Sequence, residues 1–288
     1  LRPTMLQHLS SGKNRYLPFR RTMLTFGWFI MTISFACACG HAFLGSTISQ
    51  VECGQPERDI IDILMSALPS QSAKSLLGKN LLRASNNGDV SLAKALIELN
   101  APMQVHAKRH ASFTPVLIAT SRGHINILEL LISKGAPLGK QNWYSWTPAH
   151  EAAKQGHVDI LKLLVKHAAP LDIKETWEVR FLPNNSRQTP AHVAAVMGHS
   201  EILDLLGTHG APLSEHDYPF MAAPLHYAVT FGHAGCLEAL QRHGAQMDTR
   251  DRSGSNLADV AIDEGQQKLL PMLAQVGVHP RDKLARKH

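Results

Sequence analysis

Histidine supplies most of the reactive chemistry this chain has on offer, with seventeen among 288 residues. Imidazole titrates near neutral pH, moves protons and ligates metals. The segment HEAAKQGH, from His150 to His157, comes nearest to a metalloprotease helix. It lacks the second histidine four residues after the first that places two ligands on one ion. The four cysteines, Cys37, Cys39, Cys53 and Cys236, form neither a Cys-x-x-Cys pair nor a disulfide framework. There is no Gly-rich phosphate loop, no nucleophile elbow, and no cysteine with a histidine partner at an independent position. No catalytic, cofactor or metal residue is therefore expected, and the chain reads as a non-enzyme.

What the histidines share is position. His150, His192 and His226 fall two residues after a proline, while His124, His157, His199 and His233 each follow a glycine. His167, His209 and His243 form a third set, so ten of the seventeen belong to a repeating pattern. The pattern is clearest from Ser145 to Ile173, SWTPAHEAAKQGHVDILKLLVKHAAPLDI. Thr147 can cap a helix, Pro148 suits its first turn, and Ala149, Ala152 and Ala153 give it a small-residue face before Gly156 stops it. A second helix follows, with Val158, Leu161, Leu164 and Val165 at helical spacing. Helices this short need neighbours to cover their apolar faces.

Those neighbours are further copies: TPVLIATSRGH at Thr114, TPAHVAAVMGH at Thr189 and APLHYAVTFGH at Ala223. Pro115, Pro148, Pro190 and Pro224 are separated by 33, 42 and 34 residues, so the middle interval carries an insertion, Lys174 to Arg187. Degenerate copies at Asn80 to Gly88 and Leu257 to Gly265 keep the helix–Gly–helix rhythm and lose the Thr-Pro, as end caps do. Thr-Pro, the histidine two residues on, the Gly-His pairs and the Leu-Leu before Gly-Ala resemble the ankyrin repeat. That resemblance implies an all-α ankyrin-repeat solenoid of about six helix-turn-helix units with short hairpin tips, acting as a scaffold or adaptor in protein–protein interaction.

In such repeats the partner-facing side comprises the tips and the exposed positions of each first helix. The tips here are rich in aromatic residues, with Trp143, Tyr144, Trp146, Trp177, Phe181, Tyr218 and Phe220. Solvated loops favour Gly, Ser and Asp, so clustered rings point either to tips folding on one another or to binding anchors. On the helix face Arg122, Lys154, Gln155, Met197 and Phe231 stand just before the glycines. These twelve residues are the expected protein-binding set. The wording TPAHEAA is similar to the repeats of ubiquitin-ligase substrate receptors that carry a SOCS box. After Gly277 only VHPRDKLARKH follows, too short for that box, so a substrate-recognition adaptor is an alternative by analogy alone.

The formal charge of +6 is unevenly spread. Arg2, Lys13, Arg15, Arg20 and Arg21 precede any acid, the tail after Val278 adds three charges, and the remainder is about −2. Nucleic-acid binding would need clustered cations on the repeats, so no nucleic acid is expected. Residues 22–51 hold no charged side chain, and about 23–44 is apolar enough to span a bilayer; the preceding Arg pair also fits a signal peptide. An uncleaved anchor, a cleaved targeting peptide and a buried helix or extension all stay open. A membrane-tethered regulatory or localising subunit is the second alternative function, with a cytoplasmic location if that segment is absent. The domain reading is then a basic and apolar stretch at 1–54, an amphipathic capping helix and connection at 55–79, with Gln71 to Lys79 as the polar connection, repeats at 80–278 and a basic tail at 279–288. A monomeric solenoid is expected.

Overall fold

The computed structural model describes residues 70–105, 113–142, 145–174 and 187–281, and all regular structure among them is helical. The apolar segment 23–44, the helix expected at 55–69 and the tail beyond residue 281 lie outside the described residues. Among the described residues no helix is long and apolar enough to cross a membrane.

Among the described residues six helix pairs follow one another. They are α1 (Ser70–Asn87) with α2 (Val90–Glu98), α3 (Pro115–Arg122) with α4 (Ile125–Ser133), and α5 (Pro148–Gln155) with α6 (Val158–Lys166). Then come α7 (Pro190–Met197) with α8 (Ser200–Thr208), α9 (Pro224–Thr230) with α10 (Ala234–Arg242), and α11 (Leu257–Asp263) with α12 (Leu270–Gln275). First helices pack on first helices along the row, from α1 to α11, and second helices on second helices from α2 to α10. Each pair is thus flanked by its predecessor and successor, the arrangement that stacked repeats require.

One segment departs from expectation. Residues 71–79, read as a polar connection, are helical and belong to α1. Leu77, Leu81 and Ala84 recur at helical spacing and are buried against α2 and α3. Packing of that stripe, rather than the serines and lysines between, decides the conformation.

The two layers bury themselves differently. Every residue of α5 from Pro148 to Lys154 is buried, as is every residue of α7 from Pro190 to Val196. Alanine at Ala149, Ala152, Ala153, Ala194 and Ala195 lets neighbouring first helices approach on both flanks. The second helices bury one stripe each, Ile160, Leu161 and Leu164 in α6 and Ile202, Leu203 and Leu206 in α8. A glycine with positive φ ends α3, α5 and α7, at Gly123, Gly156 and Gly198, where side-chain-bearing residues are strained. After the second helices the same left-handed step falls on Gly135, Gly210 and Gly244, but in the third pair on Ala168, at φ 53°.

Candidate protein-binding surface

The histidines account for the seams between units. The backbone N–H of Thr147 donates to Nδ1 of His150 at 3.2 Å, and the Thr147 hydroxyl lies 2.9 Å from the same nitrogen. His150 Nε2 lies 3.1 Å from the carbonyl of Gln188, in the next unit, and must therefore donate to it. His192 repeats this with Thr189 and the carbonyl of Ala222, at 3.2 Å. His226 keeps the bond from the Ala223 backbone at 3.0 Å, but Ala223 offers no hydroxyl. These rings are committed to the neutral form with the proton on Nε2. Burial is the main reason that His150 and His192 are pushed down to about 4 and about 3, and His226 to about 4. Neither nitrogen of His150 or His192 is left to carry a proton or a metal. Among the described residues no group of three or more His, Cys, Asp or Glu is placed to hold a metal ion.

Three of the second set reach backward. His124 Nε2 meets the carbonyl of Asn86, His199 that of Lys154 and His233 that of Val196, each at 3.2 Å. In the last pair Gln266 takes over, donating to the carbonyl of Thr230 at 3.4 Å. From the third set, His243 and Arg242 converge on Asp204 of α8. Cys236 is buried in α10, and burial pushes its thiol up to about 12, so it is a core residue and not a nucleophile.

With His124, His150, His192, His199, His233 and His243 bonded between units, the surface left for recognition is the tips and the first-helix ends. Each described tip is closed by one Asx residue that the sequence reading missed. The backbone N–H of Asn142 donates to the carbonyl of Trp146, whose own N–H donates to Asn142 Oδ1, both at 3.0 Å. Asp217 does the same with Ala222, at 3.0 and 2.8 Å, and Asp251 with Ser255, at 3.1 and 2.8 Å. The signal was an Asn or Asp five or six residues before each helix cap. Asp217 is buried and also bonded by the hydroxyl of Tyr227, with Gln188 Nε2 at 3.5 Å. Burial still pushes its carboxyl up to about 6.

The expected binding residues divide. Trp143, Tyr144, Trp177 and Phe181 lie outside the described residues. Trp146 is 9% exposed, stacked on His150 with ring centroids 6.1 Å apart, so it packs its tip instead of presenting itself. Lys154 is 7% exposed, its ammonium 4.9 Å from the centre of the Trp146 ring and beside buried Glu151. Desolvation raises the Glu151 carboxyl, and Lys154 and Ser121 oppose it. Both Trp146 and Lys154 were expected outside; small alanine neighbours leave room for them to fold inward. Arg122 and Gln155 are exposed, with Arg122 Nε 3.1 Å from Asn86 Oδ1. Met197 and Phe231 are half-buried against the core, Phe231 stacking on His233. Tyr218 is 42% exposed, its neighbour Phe220 is half-buried, and Met221, absent from the expected set, is 48% exposed.

A family model of three ankyrin repeat copies matches residues 81–176 and 145–217, and a single-repeat model matches 222–252. No curated protein matches the chain.

Proposed function

Since the chain belongs to the ankyrin repeat family, a family of protein-binding modules, we propose that it works without catalysis, as a scaffold or adaptor. It holds a protein partner through the hairpin tips and the concave first-helix face. The observation that carries this reading is the division of labour among side chains. His150 and His192 reach forward, and His124, His199 and His233 backward, to bond neighbouring units, while Tyr218 and Met221 stand exposed on a tip fixed at its base by Asp217. Aromatic and Met side chains on a rigid support bind at little ordering cost. Arg122, Gln155, Met197 and Phe231 supply the adjoining contact, and the rings at Trp143, Tyr144, Trp177 and Phe181 extend the same row of tips in sequence.

Site-specific photo-crosslinking in cells tests it. A photoreactive residue in place of Tyr218 should capture a partner that one in place of Glu201, exposed on the second helix α8, does not. Equal capture from both positions, or capture from Glu201 alone, would sink the assignment of the binding face.

A further inference from the structure

We propose that residues 56–68 fold back along α1 as a helix and cover the flank that the first unit leaves open, with Leu76, Val90 and Leu92 as the seat. Each later unit turns one flank toward its predecessor, and the first has no predecessor among the described residues. The second helices α2, α4, α6, α8 and α10 are all nine residues long, so their positions correspond. The third position holds Ile127, Ile160, Ile202 and Cys236, all buried, and it faces back, since Asp204 of the preceding unit acts on the Cys236 thiol. In α2 that position is Leu92, which is only half-buried. Val90, in the register of half-buried Ile125 and Val158, is 38% exposed. On α1, Arg83 stands five residues before the turn glycine, as does Glu151, whose carboxyl is bonded by Ser121 of the unit before it. Leu76, also 38% exposed, lies two turns before Arg83 on the same stripe. The last unit, Leu257 to Val278, exposes no large apolar side chain, so of the two ends it is the first that wants a cover.

The chain that leads into Ser70 supplies that cover. Residues 55–69, QPERDIIDILMSALP, place Ile60, Ile61, Leu64 and Leu68 at helical spacing between Pro56 and Pro69. Pro69 disfavours a helical Leu68 and suits the start of α1, so the two helices meet at a turn and not in one rod. The length fits. Residues 56–68 number thirteen, the same interval as from Ser70 to Arg83, so a helix folded back at Pro69 runs past Leu76 to the level of Arg83. The charge fits as well. Glu57, Asp59 and Asp62 against Arg58 leave the segment at −2, while Lys74, Lys79, Arg83 and Lys94 against Asp89 and Glu98 leave residues 70–98 at +2. The proposal goes beyond the partner-binding reading, because a covered flank is closed to partners and to a second copy of the chain.

Hydrogen exchange read by mass spectrometry on the full chain, at two protein concentrations, tests it. In the wild type the amides of residues 60–68 should exchange at least about tenfold more slowly than those of an unstructured chain. Leu64→Asp should remove that protection and speed exchange in α2 at least about tenfold, the scale of losing one buried leucine, while α10 is unchanged. Val90→Asp alters an exposed side chain at the first position of α2, where an acid suits the helix, and it should release residues 60–68 as well. Free exchange of residues 60–68 in the wild type overturns the proposal. So does protection that survives Val90→Asp, or an α2 that does not respond to Leu64→Asp. Protection that fades on dilution makes a second copy the occupant and overturns it too.

Discussion

The imidazole of His199 occupies the space that a side chain on Gly156 would need. A Cβ built on Gly156 would come within 2.7 Å of the ring. The same holds for Gly198 and His233, at 2.8 Å, and Gly88 and His124, at 2.8 Å. The glycine is therefore required twice, for its positive φ and for the ring of the following unit that donates across it.

Gly156→Ala should then cost more than the same change at Gly210. Gly210 has the same φ of +71°, but a Cβ there meets nothing within 4 Å. At Gly210 only the left-handed backbone is strained, about 1 kcal/mol. At Gly156 the His199 ring must also move, and its bond to the Lys154 carbonyl is lost, for about 3 kcal/mol in all. Denaturant melts of the two variants decide it, and equal destabilisation would show that the ring yields freely.

Ala168→Gly should stabilise the protein. Ala168 is exposed, at φ 53°, where three other units use Gly135, Gly210 and Gly244 and the first uses Asn100. Relief of the strain exceeds the added freedom of the unfolded chain by a few tenths to about 1 kcal/mol. A melt that moves down, with helicity unchanged, would mean that the Ala168 methyl group packs usefully.

Acid should loosen the seams. His150, His192 and His226 have folded-state values below that of a free imidazole, so the unfolded chain takes up protons first as pH falls. Their stabilisation is complete above about 6.5 and drains away toward pH 4 and below. Asp217 works in the opposite sense, since its raised carboxyl favours the folded state at low pH and costs stability as pH rises through about 6. Three rings, together with Asp259, whose carboxyl is held low, outweigh the raised carboxyls of Asp217 and Glu151, so stability should fall on acidification by several kcal/mol by about pH 4. His192→Gln should flatten that dependence. A pH-independent melt between neutrality and pH 4 would contradict the neutral-ring assignment.

Asp217→Ala should destabilise by about 2 kcal/mol. It removes the acceptor for the Ala222 N–H and the Tyr227 hydroxyl in a buried place. Hydrogen exchange at Ala222 and Arg252 should accelerate as the tip opens. If exchange there is unchanged, the bonds from Arg252 to the carbonyls of Phe220 and Pro219 alone hold the tip.

The helix pairs, their order and the turn glycines were legible because period, capping residues and apolar spacing coincide in the copies from Thr114 to Phe231. The histidine registers were visible as positions, but not as bonds. Nothing in a single unit tells that His150 donates forward to Gln188 and His199 backward to Lys154, since the acceptors are backbone carbonyls of other units. The same limit hid the inward turn of Trp146 and Lys154. A ring or ammonium close to a tip reads as exposed until the neighbouring alanines are known to leave it room. In the final pair the register of His150 falls on Asp259, which makes a buried acceptor for Arg281. Burial alone would raise that carboxyl, but the bonds from Arg281 and Asn256 outweigh it and hold it low.

Because the seam histidines bind main-chain carbonyls, they ask nothing of the side chain on the residue they grip. Gln188, Ala222, Asn86, Lys154 and Val196 are unlike one another, yet all serve as acceptors. Drift at such sites leaves the joint intact, and a duplicated unit would splice into the row without compensating changes next door. The family can thus lengthen its arrays and rewrite its contacts by separate mutational routes.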